Sequence, residues 1–353
     1  MERGTAECEK STRGLCGLLS QHIVSRCPES ANENVSYAGE LMKVWRYHES
    51  PESRILSLED GERPKPKPSE LLIRVHAVGV TPTELLWYPT THRKSGEARS
   101  AAVPGHEFSG RIAAVGDGIE ASYSAGQEVF GMNDWFVDGA TAEFCCTQHS
   151  AVVLKPRQLT HVEAASVPIG ALTAWQGLFY RAGLQPGERV LIHGGSGAVG
   201  VFAIQFARQR GAEVLTTAAA RNREFLTGLG AQRVIDYRTE RFEDMAMGID
   251  LVFDTVGGQT LARSWHLLGP RGRLVTIAAD SAGTSDERTQ KSFFIVEPNQ
   301  QQLSAIAEQL ASGLLRPVVR GVVTFDQADE AYLRPQTERN GCGKTVISVI
   351  SQT

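Results

Sequence analysis

The chain has 353 residues, of which 41% are hydrophobic and 22% charged, and its 36 basic and 40 acidic side chains leave a net charge of −4. That length can bury one large or two moderate cores. The balanced charge argues against a nucleic-acid surface or a polybasic membrane patch, and no apolar run reaches the roughly 18 residues a membrane span needs.

The six cysteines, Cys8, Cys16, Cys27, Cys145, Cys146 and Cys342, show no CxxC spacing. They read as free thiols in a reducing compartment rather than as a zinc ribbon or redox motif. Residues 1–40 look like a poorly structured extension, with at most a weak amphipathic helix over 11–26 carrying Leu15, Leu18, Leu19 and Ile23. Glu2, Glu7 and Glu9 speak against a mitochondrial presequence, which avoids acids, so a cytoplasmic location is expected.

Residues 41–160 have the short-strand texture of a barrel-like domain. A strand is predicted over 71–78, after the proline-broken turn 64–68, and others over 111–115, 128–130 and 142–146. From His161 the spacing turns helical. Beyond Pro186 strands alternate with helices, the strands over 190–192, 214–217, 234–235, 251–253 and 274–277. Val199, Phe202, Ala203, Phe206 and Ala207 mark one helix face, and Phe225, Leu226 and Leu229 another. Such alternation implies a doubly wound parallel sheet over 161–296, with helices on both faces. From 297 to 353 a helix with Leu303, Ile306, Ala307 and Leu310 on one face closes at Gly313, and strands return over 322–325 and 346–350.

Gly195-Ser196-Gly197-Ala198-Val199-Gly200 is a GxGxxG string that follows a predicted strand and opens a predicted helix. That context makes it a pyrophosphate cradle: glycines let the backbone approach the anion, and the helix N-terminus offers free N–H groups and a favourable dipole. At the adenosine end, NAD sites use a carboxylate about 20 residues further on. Here the second strand runs into Ala218-Ala219-Ala220 with no acid, and Arg221-Asn222-Arg223 follow. A guanidinium pairs with a 2′-phosphate where an acid would repel it, so the cofactor is predicted to be NADPH.

Several ordered motifs together carry a family likeness: Val103-Pro104-Gly105-His106-Glu107-Phe108-Ser109-Gly110, Leu172-Thr173-Ala174-Trp175, the glycine loop, Gly230-Ala231 with Val234-Ile235-Asp236-Tyr237, and Asp254-Thr255-Val256-Gly257-Gly258. From about Leu41 to Ile350 the chain resembles the medium-chain dehydrogenase/reductase superfamily, in its quinone oxidoreductase (zeta-crystallin-like) and enoyl reductase branch. The resemblance implies a GroES-like catalytic domain over 41–160, completed by 297–353, with the Rossmann domain inserted between. It also implies Thr173, Tyr237, Val256 and Gly257 as further cofactor contacts, and a homodimer.

The zinc-dependent branch of that superfamily holds its metal with a cysteine, a histidine and a third ligand. Thr81 stands where the cysteine would be, no ligand stands near Ile169, and the structural lobe of four cysteines is missing. His106 and Glu107 alone cannot complete a three-ligand site, so the chain reads as zinc-free. The quinone oxidoreductase pattern has Asn at Thr81 and Asp at Glu84, so roles there do not transfer directly. Thr81, Glu84 and Tyr88 are the candidate catalytic residues, Tyr88 as a proton donor, while His106 reads as a structural hydrogen bonder.

The resulting expectation is an NADPH-dependent oxidoreductase acting on a small molecule. It would deliver hydride to a conjugated double bond (enone, enal or enoyl thioester) or a quinone, in a pocket shaped by loops 87–99 and 133–138. The rival reading is an NADPH-binding but non-redox cyclase, scaffold or regulatory partner of a biosynthetic pathway, because fold does not fix function.

Overall fold

The computed structural model describes residues 39–49, 54–119, 121–333 and 340–350. The N-terminal extension, with the helix expected over 11–26, lies outside them save for its last two residues. In chain order the strands are β1 (Leu41–Glu49), β2 (Arg54–Glu62), β3 (Glu70–Gly79), β4 (Glu107–Val115), β5 (Glu128–Met132), β6 (Phe144–Gln148) and β7 (Val152–Leu154). Then follow β8 (Arg189–His193), β9 (Glu213–Ala218), β10 (Arg233–Asp236), β11 (Ile249–Asp254), β12 (Leu268–Thr276), β13 (Val319–Thr324) and β14 (Lys344–Ser348).

β1 and β2 form an antiparallel hairpin. The first large sheet has the order β13-β14-β3-β4-β5-β7, with β6 on β3. β3 organises it: β6 pairs with its first five residues and β14 with its last three, while β4 runs along the other edge. A strand so enclosed should be apolar nearly throughout, and Leu71, Leu72, Ile73, Val75, Ala77 and Val78 are all fully buried. The return of β13 and β14 to this sheet, across more than a hundred residues of intervening fold, sets β14 against the end of β3.

The second sheet is parallel throughout, in the order β10-β9-β8-β11-β12. Its strands feed two cores by simple alternation. Val190 and Ile192 of β8, with Leu251 and Phe253 of β11, join Phe202 and Phe206 of the helix Gly200–Gln209 on one face. Leu191 and Val252 join Phe242 and Leu261 on the other. Each such side chain contributes about 1.5–3 kcal/mol by burial, which is why helices must cover both faces. An isolated parallel bridge between Thr276 and Phe293 marks where a sixth strand would stand. Strand order reverses between β8 and β11, and the crevice beyond their C-terminal ends is where open α/β sheets take ligands.

Strand positions follow pairing partners more than local apolarity. The strand expected over 111–115 starts at Glu107 because β5 pairs with it down to Met132. Those expected over 322–325 and 346–350 sit earlier, at Val319–Thr324 and Lys344–Ser348, held by their mutual register. The helix Gln300–Ala311 starts on the Asn299 side chain, which accepts from Gln302 N–H, and buries Leu303, Ile306 and Leu310 as its spacing requires.

Candidate active site

The glycine loop leaves β8 and enters the helix Gly200–Gln209 at the sheet's reversal point. A Cβ on Gly195 would lie 2.0 Å from Thr216 Oγ1, and one on Gly200 would lie 2.3 Å from the Gly194 carbonyl oxygen. Those two glycines let loop, strand and helix close on one another. A Cβ on Gly197 would meet only the Gly194 oxygen, at 3.2 Å, so that stretch of backbone is otherwise open. Ser196, Ala198 and Val199 complete the loop. This cradle fits a dinucleotide pyrophosphate, offering backbone N–H groups at a helix start.

The polar groups under the loop are bonded to one another. His193, at the end of β8, is buried with its ring nitrogens on Thr217 Oγ1 (3.1 Å) and Ser264 Oγ (2.9 Å), and burial holds its pKa down at about 3. Gly195 N–H donates to the Thr217 carbonyl at 3.1 Å. On the facing strand the buried Asp254 accepts from Val256 N–H, Gly257 N–H and the Thr276 hydroxyl. Burial raises its pKa against those three bonds. They fix the turn that leaves Val256 half exposed beside Gly194.

At the adenosine end the basic pair expected from the sequence divides. Arg223 Nη2 donates to Glu240, at 3.4 Å, and Glu240 also accepts from Asp236 N–H. Arg221 is exposed and makes no ion pair or hydrogen bond among the described residues. Asn222 is buried in the turn Ala220–Asn222, which leaves little of it for a ligand. Tyr237 is exposed after β10, with the Arg238 guanidinium 5.8 Å from its ring.

At the other end a cluster assembles from three distant segments. Lys344 Nζ, at the start of β14, donates to Thr81 Oγ1 (3.1 Å) and forms a buried ion pair with Glu107. The second Glu107 oxygen accepts from Ile169 N–H at 2.9 Å. Ile169 lies in the first turn of the helix Pro168–Trp175, where an N–H has no partner within the helix and a negative charge is favoured. Burial nevertheless pushes the Glu107 carboxyl up, opposed by Lys344 and that N–H. Thr173 is buried in the same helix and donates its hydroxyl back to the Ile169 carbonyl. The strap leading into β14 touches the glycine loop directly: Gly343 N–H donates to the Ser196 carbonyl at 2.9 Å.

Glu84 is fully buried. Its oxygens accept from Gly105 N–H (2.6 Å) and bond His106 Nδ1 (3.0 Å), while His106 Nε2 bonds the Val137 carbonyl (3.1 Å). Both residues are thereby committed to holding the loops around them, which suits a positioning task better than proton transfer to a ligand. Tyr88 is 55% exposed and stacks on His92, with ring centroids 4.1 Å apart. Beside it Trp87 packs edge-on against Trp135, whose indole N–H is anchored on the Val296 carbonyl. Arg99 bridges the Pro89 carbonyl to Val137 and Asp138, tying loops 87–99 and 133–138 together.

The donor set does not fit a catalytic zinc. Thr81 faces an ammonium rather than a cation vacancy, Glu107 is neutralised by the same group, and both His106 nitrogens are bonded. Among the described residues no three His, Cys, Asp or Glu side chains are grouped to hold a metal. Lys344 was missed from the sequence, where its one signal is a lysine opening an apolar strand. Long cations are rarely buried without a partner.

Two family descriptions match the chain: "Alcohol dehydrogenase GroES-like domain" over residues 67–177 and "Zinc-binding dehydrogenase" over 229–347. A 2-methylene-furan-3-one reductase of Solanum lycopersicum is 30% identical over 325 residues, 88% of this chain and 79% of that protein. The quinone oxidoreductase structure from Coxiella burnetii superposes with a TM-score of 0.79 at 28% identity, covering 88% of this chain and all of that one. A mycobacterial protein solved in complex with NADPH gives a TM-score of 0.72 at 26% identity, over 87% of this chain and 100% of that chain. No helix among the described residues is long and apolar enough to cross a membrane. With its GroES-like and Rossmann sheets, the chain belongs to the medium-chain dehydrogenase/reductase superfamily, in the quinone oxidoreductase branch, and is an oxidoreductase.

Proposed function

We propose that this chain uses NADPH to reduce a conjugated double bond or a quinone, without zinc. The observation that carries the reading is the Gly343–Ser196 hydrogen bond, which sets the glycine loop beside the Thr81–Lys344–Glu107 cluster. NADPH, when bound, supplies the hydride. The loop N–H groups would hold its pyrophosphate and Arg221 its 2′-phosphate. Thr173, Tyr237, Val256 and Gly257 would be further contacts to the cofactor, and Thr81 would stand at the catalytic end.

A site whose fixed positive charge is Lys344 rather than a metal lacks the Lewis acid that polarises an alcohol or carbonyl. Conjugated acceptors need less polarisation, and the names of the tomato and Coxiella relatives point the same way. Tyr88, exposed beside Trp87, would offer its hydroxyl to the developing oxyanion. We read residues 41–160 with 297–353 as the catalytic part and 161–296 as the NADP-binding part of a cytoplasmic homodimer, whose stoichiometry sedimentation would test.

The decisive experiment supplies C4-deuterated NADPH and an enone. Deuterium is expected at the β-carbon, with a solvent proton at the α-carbon. Label on the carbonyl carbon, giving an allylic alcohol, would reject the reaction class. Tight NADPH binding without turnover of any enone or quinone would favour the non-redox alternative.

A further inference from the structure

The loop 133–138 leaves the end of β5 and is braced within itself. Asn133 N–H donates to the His106 carbonyl at 2.7 Å, and the Asn133 side-chain amide donates to the Asp138 carbonyl at 3.1 Å. Phe136 N–H donates to Asp134 Oδ1 at 2.9 Å. The side chain of Trp135 reaches out of this sheet altogether. It is 6% exposed and sits with Val190, Ile192 and Val296 in the core on one face of the parallel sheet. Its indole N–H donates to the Val296 carbonyl at 2.9 Å, across 161 residues of chain.

The backbone around that acceptor is fixed on both sides. Phe294 N–H donates to the Thr276 carbonyl at the end of β12, and Gln176 exchanges two hydrogen bonds with the Glu297 backbone. A buried N–H on a carbonyl so held is directional, whereas apolar burial has no preferred direction. The Trp135 ring also meets His106, with centroids 5.0 Å apart, and Trp87 edge-on at 4.6 Å. Tyr88 follows Trp87. A chain of contacts therefore runs from Val296 through Trp135 to the wall that would hold the acceptor.

Hydride transfer needs its two carbons about 3–3.5 Å apart, and a misplacement of about 1 Å can cost roughly a hundredfold in rate. The parallel sheet would place the nicotinamide and loop 87–99 the acceptor oxygen, so their separation depends on what ties the two together. We propose that Trp135 is a positioning residue for hydride transfer, keeping the Trp87–Tyr88 wall in register with the bound coenzyme through its bond to Val296. It acts through Trp87 and not by contact with the reactants. The proposal rests on the NADPH-dependent reductase reading above.

The test is rapid mixing of the full-length protein and NADPH with cyclohexenone or para-benzoquinone, whichever the wild type reduces, with single turnovers followed by coenzyme absorbance. Trp135→Phe, which keeps a ring and loses the N–H, should lower the single-turnover rate constant roughly tenfold or more while NADPH affinity changes less than about twofold. Gln176→Leu, which leaves Trp135 intact and releases the backbone beside its acceptor, should lower the same rate constant by a smaller factor. A purely structural loss lowers the amplitude, which counts folded sites, and leaves the rate constant alone. An unchanged rate constant in Trp135→Phe, or in Gln176→Leu where the first variant does not fold, overturns the proposal and leaves the reductase reading standing. So does an NADPH affinity that falls as steeply as the rate. A wild-type protein that binds NADPH and reduces no enone or quinone overturns both.

Discussion

The glycine loop and the Lys344 cluster are neighbours, joined by the Gly343–Ser196 hydrogen bond, and are built in opposite ways. The loop is six consecutive residues whose recognition groups are backbone N–H, and whose shape depends on side chains being absent. The cluster is three side chains, with Thr81 and Lys344 separated by 263 residues, and its shape depends on every partner being present. A backbone site tolerates the loss of any one neighbouring side chain but no added atom. A buried ionic site tolerates no loss, because a charge without its partner pays a full desolvation penalty.

Substitutions sharpen that contrast. Lys344→Met should have the largest effect, destabilising the fold by about 3–5 kcal/mol by leaving Glu107 buried and unpaired. Pairing it with Glu107→Gln should recover much of the loss, as read by urea unfolding; no recovery would show that Lys344 matters through packing alone. Arg221→Ala should weaken NADPH by about 1.5–3 kcal/mol and leave NADH nearly unchanged. Arg223→Ala, whose exposed pair with Glu240 is the group it loses, should change NADPH affinity by less than about 1 kcal/mol. Equal losses in the two variants would return the basic pair to the undivided form expected from the sequence.

Within the loop, Gly195→Ala should cost about 1–3 kcal/mol of stability through its collision with Thr216. Gly197→Ala should leave stability within about 0.5 kcal/mol yet still weaken the dinucleotide, since its new methyl faces open space rather than the core. Denaturation midpoints and nucleotide titrations on the two variants separate these outcomes.

The remaining prediction concerns a slope with pH rather than a fixed loss. Buried His193 titrates near pH 3 in the fold, below the ordinary histidine value, so the unfolded chain takes up its proton first. The contribution is therefore complete above about pH 6.5 and is lost toward pH 3, at a slope of about 1.4 kcal/mol per pH unit for one such group. His193→Gln should flatten the fall in stability between pH 6.5 and 4. An unchanged slope would assign that fall to other groups, with His161, held down at about 4 by burial, the first to examine.

The division between legible and hidden features follows the same line. The alternation over 161–296 announced a parallel sheet, because residues such as Val190, Leu191 and Ile192 must feed opposite cores. Glu84 looked like an acid near the chemistry, and nothing local showed that Gly105 and His106 would consume both its oxygens. Arg221 and Arg223 looked equivalent until Glu240 claimed one of them. Asn222, between them, gave no local sign of being buried.

By itself the sequence determined the glycine loop, the strand before it and helix after it, the missing carboxylate after β9, and the residues where zinc ligands would stand. These are properties of contiguous chain, set by backbone sterics, periodicity and residue type. Tertiary structure decided which charges were left free to meet a ligand: Lys344 committed to Glu107, Arg223 to Glu240, and Arg221 to no partner among the described residues. That follows from electrostatics at close range, where the partner a charge meets is fixed by strand pairing across the whole chain and not by its neighbours in sequence.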